Sequence, residues 1–162
     1  MPRAKSKPTI PLFDLKLNPA TRKRVTQTLD SGWLSTGSNA AEFEKAIAKL
    51  AGVRYGVAVS SATAGMELAL RAVNARNGVE VVTTPMTFAA TVSAIMRTGA
   101  TPVFADIEED TYNLSPAAAE QAIEAMDEAK RSTVKAVIPV HLYGQCADMD
   151  PLLELARRWK MT

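Results

Sequence analysis

Three short stretches of this chain bring together groups that could hold or work on a ligand. The first is SSATAGM, Ser60–Met66. Small hydroxyl residues leading from an apolar run into a helix leave unpaired N–H groups and a positive dipole end facing outward, which suits a phosphate. Thr63 would add a hydroxyl donor, and Gly65 would let a ligand or backbone approach closely. Taken alone, the stretch is more often an ordinary capped turn. It lacks both the G-x-G-x-x-G pattern of dinucleotide sites and the Gly-Lys-Ser/Thr of Walker-type loops.

The second stretch, TTPMTFAAT, puts Phe88 at a helix start just past an apolar run. Its ring could stack on a planar heterocycle, although in isolation an aromatic there more commonly belongs to a core. The third, PVHLYGQ, holds the only histidine, His141. A histidine at a strand end is more often a hydrogen-bonded structural group than a base. Pairing it with Cys146 as a nucleophilic dyad finds no orienting acid. The acidic run DIEEDTYN, Asp106–Asn113, has the carboxylate density of a calcium loop. However, Thr111 stands where such a loop needs glycine and Ala117 where its closing glutamate belongs, so no metal is expected.

Alternating strands and helices must position these stretches. Asn39 with Glu42 reads as a capping box opening a helix whose face is Phe43, Ile47 and Leu50, and Gly52 ends it. Tyr55 to Ser60 reads as a buried strand, and a helix follows from about Thr63 to Asn74 with Met66, Leu70 and Val73 on one face. Next come a strand over Glu80 to Thr84 stopped by Pro85, a helix from Phe88 to Arg97 and a strand from Pro102 to Asp106. Ser115 caps a helix with Pro116 at its first position. Val134 to Val140 is the most apolar strand, and Asp150–Pro151 repeats the cap-and-proline start for a helix running to Trp159. This order implies an α/β fold, a mostly parallel sheet with right-handed crossovers and helices on both faces. Ligands then bind beyond the carboxyl ends of the strands, at the Ser60–Thr63, Thr84–Phe88 and His141–Gln145 loops.

The 162 residues suffice for one buried core, and 47% hydrophobic with 22% charged residues is ordinary for a globular protein. One cysteine excludes an internal disulfide framework, and no apolar run is long enough for a membrane span or a signal peptide. A cytoplasmic location is therefore expected. The net charge of +2 divides unevenly: residues 1–24 carry +6 and the remainder −4. No aromatic interleaves with Arg3, Lys5 and Lys7, so residues 1–9 are expected to be a solvated, disordered tail, not a nucleic-acid arm.

Singly these stretches decide little, but their order is specific. The strings IPLFD, SGWLSTG, EFEKAIAKLAG, AVSSATAGMELAL, TTPMTFAAT, GATPVFADIEEDTYNLSP and AVIPVHLYGQCADMD resemble the DegT/DnrJ/EryC1/StrS family of aminotransferases from Ile10 to Thr162. The resemblance implies the N-terminal part of the large domain of a fold-type I transferase dependent on pyridoxal 5'-phosphate (PLP), over residues 10–162. It implies that Ala62 and Thr63 bind the cofactor phosphate and that Phe88 stacks on its ring. Many relatives have glycine where Ala62 stands, but backbone donors do not depend on that side chain. The implied reaction is transfer of an amino group, from glutamate, to a nucleotide-linked keto-sugar. SSATAGM is closest to members acting on UDP-linked 4-keto-sugars in cell-envelope saccharide synthesis. Members typically form homodimers, with SGWLSTG-type residues near the interface.

In this family an aspartate facing the ring nitrogen, and later a lysine joined covalently to the cofactor, both follow the position where this chain ends. None of its own lysines matches that lysine in order or context. The resemblance therefore implies a cofactor half-site with no catalytic residue, and a chain that alone is inactive and poorly folded. Two alternatives remain: an inactive module binding a full-length partner, and a family dehydratase in which histidine replaces the lysine. An unrelated nucleotide-binding domain is disfavoured by the missing glycine and lysine fingerprints.

Overall fold

Side chains of Asn18, Ser61, Ser115 and Asp127 accept the free N–H groups at the starts of four helices, and left-handed glycines, Gly52 and Gly99, end two. The computed structural model describes residues 11 and 14–162. The basic tail and most of IPLFD lie outside the described residues. Contacts divide the chain into two compact units, Met1–Ala58 and Val59–Thr162.

The first unit holds α1 (Pro19–Asp30) and α2 (Ser38–Ala51). Asn18 caps α1 by accepting from the Thr21 N–H at 2.8 Å, with Pro19 following at the first position. Sequence periodicity overlooks α1 because it carries no apolar stripe: it buries no residue. The capping box expected at Asn39 is not formed. Gly37 is the N-cap of α2, which leaves Asn39 in the first turn, donating to the Thr28 hydroxyl at 3.0 Å, while Glu42 pairs with Arg24. Gly52 ends α2 in the left-handed region as expected. Phe43, Ile47 and Leu50 all remain exposed, and Ala48 alone is buried.

The strand expected over Tyr55 to Ser60 is absent, and Tyr55, Val57 and Val59 are exposed. A strand needs a neighbour to take its N–H and C=O groups. Here the Ala58 N–H donates to the Glu44 carboxylate at 2.8 Å, and no described strand pairs with the segment.

The second unit opens with α3 (Ala62–Ala72) and contains β1 (Glu80–Thr83), α4 (Ala89–Thr98) and β2 (Thr101–Phe104). It continues with α5 (Pro116–Glu124), the short α6 (Glu128–Arg131), β3 (Val134–Val137), a 3-10 turn at Leu142–Gly144 and α7 (Met149–Arg158). The sheet order is β2-β1-β3 and both pairings are parallel. Ser115 caps α5 with Pro116 next, as the sequence implies. The cap of α7 is Asp148, not Asp150, which instead places its charge in the first turn, where the dipole favours it. Pro151 is tolerated there because the first turn needs no N–H acceptors.

Apolar residues cover both faces of the sheet. Leu70, Val81, Ala94, Ile95 and Ala136 form one core under α3 and α4. Val82, Leu114, Ile123, Val134, Leu152 and Leu155 form the other under α5 and α7. Val134 and Ala136 would share a face in a regular strand. The register slips between Glu80 and Val81, which pair with Val134 and Ala136, so the extra residue Lys135 sends the two to opposite cores. β3 ends before Val140 because Pro139 has no N–H to continue a ladder. The Thr83 hydroxyl then bonds the Ile138 carbonyl at 3.1 Å, closing the sheet end by a side chain.

Gly99 gives a direct test of this packing. It ends α4 at φ 88°, and a Cβ there would lie 2.1 Å from the Asn77 Oδ1 and 3.2 Å from its backbone nitrogen. Gly99→Ala is expected to destabilise the chain by about 1–3 kcal/mol, read from the denaturant midpoint. An unchanged midpoint would contradict the close approach.

Candidate functional site

Two of the expected loops follow adjacent parallel strands: Thr84–Phe88 follows β1, and His141–Gln145 lies beyond β3. They therefore open at the same end of the sheet. The third, Ser60–Thr63, follows no strand, yet α3 brings it to that end as well. The Arg71 guanidinium, in the last turn of α3, bonds the Arg97 carbonyl in the last turn of α4 at 3.3 Å. Glu67 accepts from Arg71 at 2.9 Å and pairs with Arg97 at 3.3 Å. The two helices run side by side in one direction, so their N-termini share the carboxyl-end side of β1.

At the start of α3, Ser61 caps by accepting from the Ala64 N–H at 3.2 Å. The Gly65 N–H bonds the Ser61 carbonyl at 3.0 Å. Ala62 and Thr63 occupy the first two helical positions, whose N–H groups have no acceptor within the helix. Among the described residues the Thr63 hydroxyl also has no hydrogen-bond partner, and its side chain is half-buried. Two backbone donors, one hydroxyl and a helix dipole thus converge without carboxylate competition in the turn.

Phe88 is the N-cap of α4 and is 83% exposed, so its ring belongs to no core. The loop before it is braced from within. Thr84 is buried and accepts from the Met86 N–H at 3.1 Å, and the Thr87 and Thr91 hydroxyls bond at 2.8 Å. A rigid loop that leaves an aromatic ring in solvent offers a face for stacking.

His141 takes a structural bond: its Nδ1 accepts from the Ala147 N–H at 3.0 Å. This leaves Nε2 to carry the ring proton. Nδ1 is thereby taken by the backbone, and the exposed Cys146 is not its partner. The run Asp106–Asn113 folds into a hairpin closed by the antiparallel bridge of Ile107 with Leu114. It lines a cavity of about 600 Å³ together with Cys146 and Asp148. Among the described residues, no cluster of His, Cys, Asp or Glu is arranged to hold a metal ion.

The sequence reading overlooked Asn113 and Tyr143. Asn113 was only the end of an acidic run, yet its buried side chain bonds to Leu142 and Gln145. Tyr143 has φ 53°, a conformation that costs a bulky residue about 1–3 kcal/mol. Its one sequence signal is the glycine that follows it.

The sequence profile of the DegT/DnrJ/EryC1/StrS aminotransferase family matches residues 16–162. The spore coat polysaccharide biosynthesis protein SpsC of Bacillus subtilis (strain 168) is 47% identical over 135 residues, 83% of this chain and 33% of SpsC. Among solved structures, S. venezuelae DesV in complex with a ketimine intermediate superposes with a TM-score of 0.78 at 35% identity, over 88% of this chain and 36% of DesV. The sugar aminotransferase candidate Spr1654 of Streptococcus pneumoniae, in its PMP form, gives 0.80 at 34% identity, over 92% of this chain and 36% of Spr1654. The chain thus spans about a third of the length of the relatives it matches.

Proposed function

This chain belongs to the DegT/DnrJ/EryC1/StrS aminotransferase family, and from that premise we propose that it forms the cofactor-phosphate side of a PLP-dependent sugar aminotransferase. The observation that carries this reading is the start of α3, where the N–H groups of Ala62 and Thr63 and the Thr63 hydroxyl have no partner among the described residues. A phosphate dianion suits that donor set. When bound, PLP supplies a ring that accepts electrons during amino transfer. Ala62 and Thr63 anchor the phosphate, and the exposed ring of Phe88 stacks on the heterocycle.

The substrate of this reading is a nucleotide-linked keto-sugar, with glutamate as amino donor and saccharide assembly in the cytoplasm as the setting. The spore coat polysaccharide role of SpsC supports the sugar class. Among the described residues no helix is long and apolar enough to cross a membrane. A homodimer completes the reading, with the exposed Phe43, Ile47 and Leu50 face of α2 as surface that a second copy would cover. The groups that complete amino transfer, the covalent lysine and the ring-nitrogen acid, belong in this reading to sequence beyond the matched third.

Titration of the chain with PLP, followed by cofactor absorbance, tests the site. Thr63→Val removes one charge-assisted hydrogen bond, worth about 1.5–3 kcal/mol, and is expected to weaken binding about ten- to a hundredfold. Phe88→Ala loses stacking worth about 0.5–1.5 kcal/mol, hence a smaller loss of about three- to tenfold. Wild-type binding curves for both variants would remove the assignment.

A further inference from the structure

Asn113 is 1% exposed, yet both ends of its side-chain amide are bonded. The oxygen accepts from the Leu142 N–H at 2.9 Å and the nitrogen donates to the Gln145 carbonyl at 3.1 Å. Both bonds grip one turn, 29 and 32 residues along the chain. Between the two grips, Tyr143 and Gly144 are both left-handed, at φ 53° and 86°. Glycine adopts this readily and tyrosine does not. Among the described residues the Tyr143 ring gains almost no contact, being 94% exposed. A bulky residue held in a disfavoured conformation by a buried clamp, with its ring in solvent, is arranged for a contact outside the described residues.

The turn has a definite chemistry. It offers an aromatic face, a phenol hydroxyl, the exposed His141 with Nε2 free to donate, and the exposed Gln145 amide. An apolar face ringed by donors and acceptors complements a pyranose, whose C–H face is apolar and whose rim carries hydroxyls. The turn also lies beyond β3, next to the β1 loop that exposes Phe88, on the ligand side of the sheet. We propose that Tyr143 stacks on the sugar ring of the bound sugar nucleotide, with Asn113 as the positioning residue that holds it there. This rests on the sugar-ligand reading above and adds the residues that contact the sugar.

The test is calorimetric binding of UDP-N-acetylglucosamine, a non-reacting probe, to the 162-residue chain saturated with PLP. Tyr143→Ala is expected to weaken the probe about three- to tenfold and to leave PLP binding unchanged. Tyr143→Phe should retain most of the affinity. Tyr143→Gly separates function from structure: relief of the left-handed strain should raise the thermal midpoint by about 2–4 °C while probe affinity falls as in Tyr143→Ala. A purely structural tyrosine would give the first change without the second.

Asn113→Ala should weaken the probe as much as Tyr143→Ala, with no further loss in the double variant. If Asn113→Ala does not fold, the Tyr143 variants decide alone. Wild-type probe affinity in Tyr143→Ala would overturn the proposal. So would a chain that binds PLP but not the probe, and the cofactor reading would then survive. Binding of neither would remove that reading and this inference together. Altered self-association of Tyr143→Ala with unaltered probe binding would overturn the proposal in favour of an interface between copies.

Discussion

Replacing Ile123 by alanine is expected to lower the stability of the sheet-bearing unit by about 2–5 kcal/mol. Ile123 is fully buried on α5 and belongs to the core that includes Val82, Leu114, Val134, Leu152 and Leu155. Removing its outer carbons forfeits their transfer from water and leaves a cavity that a β-strand floor and two helices cannot close. Typical domains hold only about 5–15 kcal/mol in total, so this one change should remove a large part of it. Denaturant unfolding of the whole chain measures the effect. Leu153→Ala is the control: it lies on the same helix as Leu152 but is exposed, and should shift the midpoint by about 0.5 kcal/mol or less. Equal shifts for the two variants would mean that the α5–α7 core is not packed as described.

The second large effect is on association. Held at micromolar concentration, the chain is expected to self-associate. In the first unit the Phe43, Ile47 and Leu50 face of α2 lies open to solvent. In the second unit, β2 and β3 are the outer strands of the sheet, and outer strands offer unpaired backbone groups to other chains. On β3 part of that edge is taken, since Thr162 donates to the Lys135 carbonyl at 2.9 Å and accepts from the Val137 N–H at 3.0 Å. Beside it runs an apolar groove of about 240 Å³, lined by Met66, Leu70, Val73, Ile138 and Pro139 among others. Covering a few hundred square ångströms of such surface gains several kcal/mol at about 25 cal/mol per Å².

Sedimentation across a concentration series is the measurement. A discrete dimer that Phe43→Glu or Leu50→Lys dissociates would favour the proposed homodimer. Larger, heterogeneous species would instead match the expectation that the chain folds poorly by itself. A cooperatively melting monomer at every concentration would count against both.

Local physical chemistry is what made much of this protein legible from its residues. The Ser115–Pro116 start of α5, the Gly52 end of α2 and the Leu70 face of α3 all depend on groups within about four positions of one another. The same holds for the free N–H groups at Ala62 and Thr63, because a helix start exposes them wherever it lies. The order of the motif strings was sufficient to identify the family, and the family profile matches almost the whole chain.

What the sequence could not determine depends on partners far along the chain. Tyr55 to Ser60 has the composition of a strand but no ladder partner among the described residues, and composition cannot supply one. The extra residue Lys135 turns Val134 and Ala136 to opposite cores because β3 must fit the register of β1, more than fifty positions earlier. The exposure of Phe88, which separates a stacking ring from a core ring, is settled by the packing of α4 against α3 and the sheet. Asn113 reads as the tail of an acidic run until the fold brings Leu142 and Gln145 to its amide. A helix closes its hydrogen bonds within one turn, so its residues announce it. A ladder or a buried clamp closes them across tens of residues, and only the tertiary structure says which ones.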